Sequence, residues 1–318
     1  MMTGKWSGWL VVTALVAGLG CNLAGAQTVR MIVPTAPGGS VDLSARLLAE
    51  RMRESSGTTI VVENRAGASS NLGAALVAKA LPDGNTLLVT ADGVVTVNPT
   101  LYQDSGFSVS ELAPVGIYGI QPSVLVVPVS SPIRSVADFV ASAKKREMSY
   151  ASAGVGSGGH LTMEYFGSMI GARFLHVPFS GGGPAMQALI GEQVDSAFVL
   201  LPTALPHVKS GKLRALAVSG RERSTSLPDV PTAQEAGFKD FEVQVAYLVM
   251  VPARTPATSV ESWSKALGNA LADTDFRKRL SDMGMQPLFM GPSATGEWLT
   301  RERVRWEVLM RQHGIKAN

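Results

Sequence analysis

Cysteine is almost absent from this chain, because Cys21 is the only one among 318 residues. It lies in a segment with the pattern of a secretory signal: Lys5 precedes an apolar run from Trp9 to Gly20, and the small residues Ala24-Gly25-Ala26 follow. The apolar run is too short to cross a bilayer as a helix. Cleavage after Ala26 therefore predicts a mature protein without a disulfide or a thiol.

A strong charge excess and further long apolar runs are also lacking. The 28 Lys and Arg residues nearly balance the 25 Asp and Glu residues, so the composition favours neither nucleic acid nor a membrane surface as a partner. Cys21 also permits a lipoprotein, but Gly18 stands where a lipoprotein signal normally has leucine, so soluble export is favoured. We therefore expect the mature protein in the periplasm, where about 290 residues can fold without disulfides.

The sequence shows no complete set of catalytic or metal-binding residues. Its histidines are scattered without the spacing of metal ligands: His160, His176, His207 and His313. The segment Gly154–Gly159 matches G-x-G-x-x-G, but no acid follows about 20 residues later to hold a ribose, and no P-loop pattern occurs. Ser157 lacks the first glycine of a G-x-S-x-G elbow. We therefore expect neither an enzyme nor a cofactor, metal site or catalytic residue.

Short β-branched segments alternate with amphipathic helical segments, which is typical of α/β layers with mainly parallel sheets. The length favours two lobes. Leu112–Tyr118 and Ser123–Pro128 are predicted as separate strands, and the chain is expected to cross between lobes near Ser123–Ser130 and again near Val243–Val251. The predicted bounds are 27–125 plus 248–318 for one lobe and 126–247 for the other. Two antiparallel crossing strands would make a hinged cleft; one large open sheet is the alternative.

Three strands each run into a glycine-rich turn and then into a helix, at Ile32–Asp42, Tyr150–His160 and His176–Pro184. Such junctions direct unpaired backbone N–H groups and the positive end of a helix dipole at one point, which suits a carboxylate or a phosphate. Asp42 is expected to support its loop and to pair with Arg46. Serine hydroxyls at these junctions either cap a helix or donate to a ligand.

Six stretches follow one another through nearly all of the mature chain: Pro37-Gly38-Gly39-Ser40-Val41-Asp42, Glu63-Asn64-Arg65-Ala66-Gly67-Ala68, Ser152-Ala153-Gly154-Val155-Gly156-Ser157, His176-Val177-Pro178-Phe179, Ser210-Gly211-Lys212-Leu213-Arg214 and Leu227-Pro228-Asp229-Val230-Pro231-Thr232. As an ordered set they resemble the Bug family of periplasmic receptors. These receptors are the extracytoplasmic binding component of tripartite tricarboxylate transporters.

The resemblance implies a two-lobed periplasmic binding protein of the Venus flytrap type, in which two α/β domains close on a small carboxylated solute. Family members hold ligand carboxylates with backbone amides, small hydroxyls and ordered waters rather than with an arginine clamp. On this chain the resemblance implies the ligand contacts Thr35, Ala36, Gly38, Gly39, Ser40, Ala68, Ser69, Ser70, Ala91, Ser157, Gly158, Phe179, Ser180 and Gly181. We expect a monomer that delivers its solute to the membrane permease subunits of a tripartite transporter.

The sequence departs from the family pattern at a few positions. Thr35 stands where many members have an aromatic residue, and Ser69-Ser70 stands where many have a glycine pair. Val199 and Leu200 replace the more polar residues expected in amino-acid-binding relatives, so an organic di- or tricarboxylate is favoured over an amino acid. Two alternatives are a receptor that presents the same solute class to a membrane sensor, and a secreted serine hydrolase that uses Ser157.

Overall fold

The computed structural model of the protein describes residues 28–179 and 181–315, without the side chains of residues 55 and 56. The predicted signal peptide with Cys21, the cleavage site near Ala26 and the predicted contact Ser180 lie outside the described residues. The strands of the described part are β1 (Val29–Val33), β2 (Ile60–Asn64), β3 (Thr86–Ala91), β4 (Leu112–Pro128), β5 (Met148–Ser152), β6 (Phe174–Pro178), β7 (Ser196–Leu200), β8 (Leu213–Val218), β9 (Gln244–Pro252) and β10 (Gln286–Met290).

Helices alternate with these strands, which confirms the predicted α/β class. They are α1 (Ser40–Ser56), α2 (Asn71–Ala78), α3 (Gly93–Thr96), α4 (Asn98–Leu101), α5 (Val136–Lys145), α6 (Gly158–Ile170), α7 (Gly182–Ile190), α8 (Leu201–Lys209), α9 (Ala257–Ala272), α10 (Thr274–Asp282) and α11 (Pro292–His313). In α1, Ala45, Leu48 and Met52 are buried at helical spacing, whereas Leu43 is exposed. Within the described residues, none of the helices combines the length and the apolarity that a membrane crossing requires.

The strands form two sheets that share β4. The first sheet has the order β2-β1-β3-β9-β4, with β1 parallel to β2 and β3. The second has the order β4-β7-β5-β6, with β5 parallel to β6 and β7. β10 and β8 pair with the first and second parts of β4, respectively. Each sheet thus has a parallel portion whose strands lead into helices, as the alternating pattern predicts.

The crossing between the sheets is made by β4 and β9. They run antiparallel from the Leu112–Pro252 pair to the Pro122–Gln244 pair, and the rest of β4 pairs with β7 and β8. The separate strands predicted at Leu112–Tyr118 and Ser123–Pro128 are therefore one continuous strand. This continuity places the residues after β3 opposite the loops of the second sheet.

Buried apolar side chains cluster on both faces of the sheets, and α11 contacts both halves of the molecule. Leu299, near the start of α11, packs with the first sheet. Trp306, Leu309 and Met310, near its end, join the cluster that contains Phe166 of α6. The predicted bounds of the two lobes stay a prediction.

Candidate functional site

The first predicted junction leads from β1 through residues 34–39 into α1, and Asp42 holds it in shape. The Asp42 carboxylate is buried and accepts hydrogen bonds from the Gly38 N–H at 2.8 Å, from Asn64 Nδ2 at 2.8 Å and from Arg46 Nε at 3.1 Å. Burial raises the pKa of Asp42, but the hydrogen bonds from Arg46, Gly38 and Asn64 outweigh it and lower the pKa. Asp42 therefore supports the loop, and its charge is already satisfied.

Two side chains of this junction differ in what they contact. Thr35 Oγ1 is buried and has no hydrogen-bond partner within the described residues, whereas the Ser40 side chain lies beside the buried Tyr247 hydroxyl, which itself donates to Gln121 Oε1 at 2.6 Å. A buried hydroxyl without a partner costs free energy unless a ligand or a water meets it. Thr35 is thus the side chain of this loop with spare hydrogen-bonding capacity. The remaining predicted contacts of the loop are exposed: Ala36, Gly38 and Gly39.

The turn between β2 and α2 has a left-handed backbone at three successive non-glycine residues. The φ angles are 46° at Ala68, 52° at Ser69 and 76° at Ser70, and each such residue costs about 1–3 kcal/mol. Asn98 Nδ2 fixes the turn by donating to the Ser69 carbonyl at 2.8 Å and to Asn71 Oδ1 at 2.7 Å. Strain of this kind concentrates at ligand clamps and switch regions.

Ser157 begins α6 and is engaged as a helix cap. Its Oγ accepts the His160 N–H at 3.4 Å, and His160 Nδ1 in turn accepts the Gly156 N–H at 2.9 Å. The cap bond is long, which leaves the hydroxyl able to meet a second partner. The N–H groups of Gly158 and Gly159 belong to the first turn of α6 and have no acceptor within the helix. These two N–H groups point away from the start of the helix and can donate hydrogen bonds to a ligand there.

The loop from β6 into α7 lies beside this turn. The Phe179 N–H donates to the Ser152 carbonyl at 3.0 Å, which ties the two loops together. Gly181 precedes α7 with φ 123°, a backbone conformation that other residues rarely adopt. The Gly182 N–H stands in the first turn of α7, again without an acceptor in the helix.

A cavity of about 330 Å³ lies between these elements. Its amide-rich wall comes from the starts of α6 and α7: Gly156, Ser157, Gly158, Gly159 and Gly182. A second wall comes from residues after β3: Ala91, Asp92, Gly93, Thr96, Val97 and Asn98. Most of the rest is apolar: Leu161, Phe198, Val199, Leu200, Val243 and Val245. The cavity thus combines backbone donors at one end with a hydrocarbon surface.

Three of the predicted contacts line this cavity, namely Ala91, Ser157 and Gly158. One other contacts the lining directly, because the Ser69 carbonyl accepts a hydrogen bond from Asn98. The predicted contacts of the described residues that lie outside the lining are Thr35, Ala36, Gly38, Gly39, Ser40, Ala68, Ser69, Ser70, Phe179 and Gly181. Among the apolar lining residues, only Val199 and Leu200 were named from the sequence.

Asp92 lines the cavity but is not among the predicted contacts, although it directly follows the buried strand β3. Its Oδ2 accepts the indole N–H of Trp298 at 3.3 Å. Burial, followed by the negative charge of Glu302, raises the pKa of Asp92 to about 7. A carboxyl that is bonded to an indole and partly neutral at pH 7 is a poor counter-ion for a ligand ammonium.

Two histidines near the cavity offer no positive charge. The His160 and His176 rings stack with their centroids 4.0 Å apart. Burial and then the neighbouring His176 lower the pKa of His160 to about 4, and burial lowers the pKa of His176. His176 Nε2 lies 2.6 Å from Ser152 Oγ, but Ser152 is fully buried, and Ser157 contacts the backbone N–H of His160 rather than its ring.

The charged groups of the cavity are therefore few. No Lys or Arg occurs in its lining as the described residues define it. In the same part of the chain no three His, Cys, Asp or Glu side chains come together as a metal site. The arrangement can hold an anion by backbone donors, hydroxyls and helix dipoles.

Comparison with known proteins gives a consistent result. The family model for the "Tripartite tricarboxylate transporter family receptor" matches residues 44–315. Protein BugT of Bordetella pertussis is 33% identical over 312 residues, which covers 97% of this chain and 96% of BugT. The UPF0065 protein in the tcbD-tcbE intergenic region of Pseudomonas sp. strain P51 is 33% identical over 296 residues, which covers 92% of this chain and 88% of that protein.

Solved structures of periplasmic binding proteins share this fold. Rpa4515 of R. palustris with adipate is 31% identical with a TM-score of 0.82, covering 92% of this chain and 99% of that one. The periplasmic binding protein BugD is 33% identical with a TM-score of 0.78 and the same coverage. MatC from Rhodopseudomonas palustris with bound malate is 32% identical with a TM-score of 0.76, covering 89% and 98%. The two-lobed α/β fold predicted from the sequence is confirmed.

Proposed function

Because the chain belongs to the tripartite tricarboxylate transporter receptor family, as the resemblance to Bug receptors predicts, we propose that it is a periplasmic receptor for a small carboxylated solute. It captures the solute in the cleft between its lobes and delivers it to the membrane permease subunits of a tripartite transporter. The receptor acts as a monomer and without catalysis.

The observation that carries this proposal is the amide-rich wall of the 330 Å³ cavity. The starts of α6 and α7 both contribute to it, so the positive ends of two helix dipoles act on the same space. A solute carboxylate seated there would accept from the N–H groups of Gly158, Gly159 and Gly182 and from the Ser157 hydroxyl. Because these donors are backbone groups, they need no charged side chain beside the ligand.

The proposed solute site extends beyond this cavity to loops of the first sheet. Thr35 with its unpartnered hydroxyl, and the strained turn at Ala68–Ser70, lie on neighbouring loops of the first sheet. Closure of the lobes about β4 and β9 would bring these loops onto the solute, and ordered waters would fill the remaining gaps. The predicted contacts Phe179 and Gly181 would join from the second sheet in the same way.

An organic di- or tricarboxylate is the favoured solute. Val199 and Leu200 line the cavity, and the carboxyl of Asp92 is bonded to Trp298, so an amino-acid ammonium would find no free anion there. The adipate and malate in the structures of Rpa4515 and MatC are both dicarboxylates, which supports the same class here.

A thermal-shift screen of the mature protein tests the proposal. The panel contains mono-, di- and tricarboxylates together with glutamate and aspartate. A ligand at 100 times its Kd stabilises the folded state by about 2.7 kcal/mol, which corresponds to a rise in Tm of about 4 °C for a protein of about 290 residues. We expect a plain di- or tricarboxylate to give the largest rise.

Two results would contradict the proposal at different levels. A larger rise with glutamate or aspartate than with any plain carboxylate would reject the preference for organic acids. If no carboxylate in the panel raises the Tm and calorimetry detects no binding, the receptor function itself is wrong. Pull-down of the permease subunits with the ligand-loaded protein tests the transporter partnership.

A further inference from the structure

Hydrocarbon side chains from both sheets make up a large part of the lining of the 330 Å³ cavity. Phe198 and Val199 come from the end of β7, Leu161 comes from α6, and Val243 and Val245 flank the start of β9. These side chains can neither donate nor accept a hydrogen bond. Any ligand atom that lies against them must lose its contact with water without replacement.

Several polar side chains of the lining are already committed to other partners. Thr96 Oγ1 donates to the Asp92 carbonyl at 2.9 Å. Asn98 Nδ2 donates to the turn at Ser69 and to Asn71. The Asp92 carboxyl accepts the Trp298 indole N–H at 3.3 Å. These groups hold the cavity in shape, so their hydrogen-bonding capacity for a ligand is reduced.

Three further side chains with polar groups also line the cavity, namely Thr203, Gln244 and Trp306. Thr203 packs beside Gly182, because a Cβ at that glycine would lie 3.2 Å from Thr203 Cγ2. Gln244 begins β9, at the last pair that β9 makes with β4. Thr203 therefore adjoins the amide-rich wall, where we expect a ligand carboxylate, and Gln244 also lines a neighbouring cavity of about 670 Å³.

We infer that the receptor selects carboxylates whose carbon skeleton is unsubstituted hydrocarbon, and that it discriminates against analogues with a hydroxyl on that skeleton. This inference rests on the proposed function and narrows its solute class. A hydroxyl placed against the hydrocarbon part of this lining would be desolvated and left without a partner, which costs roughly 10- to 100-fold in affinity. The carboxylate groups would keep their backbone donors in both cases.

Matched ligand pairs that differ by one hydroxyl test this inference. The pairs are succinate with malate, glutarate with 2-hydroxyglutarate, and tricarballylate with citrate. Calorimetry on the wild-type mature protein gives the ratio of the two Kd values within each pair. We expect the member without the hydroxyl to bind roughly 10- to 100-fold more tightly in each pair that fits the cavity.

Val199→Thr, which keeps the shape of the side chain and adds a hydroxyl to the wall, should reduce this ratio several-fold. Val194→Thr is the matched control, because Val194 is buried in the same cluster and does not line the cavity. The control should leave the ratio unchanged, although it carries a similar stability cost. Since each ratio is measured within one protein, loss of stability does not disturb it.

The outcomes separate the inference from the proposed function. Equal or tighter binding of the hydroxylated members overturns the inference while the receptor function stands. Failure of every carboxylate to bind overturns both. If Val199→Thr does not fold, the wild-type ratios alone decide.

Discussion

Replacing Gly156 by alanine tests whether the two walls of the cavity must approach each other to bind the solute. Gly156 lines the cavity at φ 76°, and a Cβ atom there would overlap Leu101 Cδ2 and lie 3.3 Å from Leu101 Cγ. Leu101 ends α4, on the wall that follows β3, and it is buried in a core cluster. Because Leu101 is packed in this cluster, the variant must either displace the Leu101 side chain from the core or separate the two walls.

Two costs contribute to the effect. A left-handed φ costs alanine about 1–2 kcal/mol relative to glycine. Overpacking against Leu101 costs about 1–3 kcal/mol in addition. Only the second cost depends on the approach of the walls, and every 1.4 kcal/mol is a factor of ten in affinity. We therefore expect the Kd of the best carboxylate to rise by about 5- to 150-fold.

Calorimetry of the variant and of two companions separates these costs. Gly171→Ala is the matched control, because Gly171 has φ 66° and nothing lies within 4 Å of a Cβ placed there. Gly156→Ala combined with Leu101→Ala removes the overlap and should recover most of the affinity. A Kd for Gly156→Ala within twofold of the Gly171→Ala value would refute the reasoning, and so would a failure of the double variant to recover binding.

Three further predictions concern the groups that shape the site. Asp42→Ala should lower the free energy of unfolding by about 1–3 kcal/mol at pH 7, because the Gly38 N–H and the Asn64 amide lose their acceptor. The pKa of Asp42 is lowered in the folded protein, so the difference between wild type and variant in urea unfolding should shrink as the pH falls below about 4. For Asp92, whose pKa is raised to about 7, the sign is opposite: the folded state retains the proton, and stability falls as the pH rises from about 4 to 7, by about 4 kcal/mol at most. Asp92→Asn should remove this slope, and an unchanged pH profile of unfolding would contradict the assigned pKa. Ser157→Val should weaken carboxylate binding by about tenfold while it costs about 1 kcal/mol of stability through the lost cap; unchanged affinity in calorimetry would leave Ser157 as a cap alone.

The elements with strong local signals were predictable from sequence almost to the residue. Ser135 before apolar residues at helical spacing predicts a helix over Val136–Lys145, and α5 has these bounds because Ser135 Oγ accepts the Asp138 N–H at 3.1 Å, which is a standard helix cap. The segment Met148–Ser152 before a glycine-rich turn likewise predicts a strand, and β5 has these bounds. In both cases the deciding interactions lie within a few residues of each other.

Elements that depend on distant partners were less predictable. Gln286–Met290 contains a proline and has little β character of its own, yet it forms β10 against β4. Leu201–Lys209 forms α8 although Pro206 lies inside it. The continuity of β4 across Gly119 and Pro122 requires β9 as a template along its first part. These outcomes follow from tertiary pairing, which overrides local propensity.

The candidate site likewise contains residues that could be predicted from local sequence and residues that could not. The glycine-rich junctions, and Ser157 with Gly158 in particular, carry local signals of helix starts and could be named from the sequence. The apolar lining from Phe198, Val243 and Val245 could not, because these residues read as ordinary buried strand and only the pairing of strands brings them to one cavity. The left-handed turn at Ala68–Ser70 was equally hidden, since non-glycine residues rarely adopt it without the support that Asn98 supplies.

Asp92 shows why the direction of a side chain matters more than its presence in a lining. It borders the 330 Å³ cavity, but its carboxyl accepts from Trp298, which lines a second cavity of about 670 Å³ on the side of α11. Glu302 and Arg305, an ion pair at 2.7 Å, line the same second cavity. The acid is therefore part of the polar framework behind the 330 Å³ cavity. The presence of an acidic residue in the lining would by itself favour an amino acid as the ligand. Because the Asp92 carboxyl is bonded to Trp298, however, the preference for an organic acid stands.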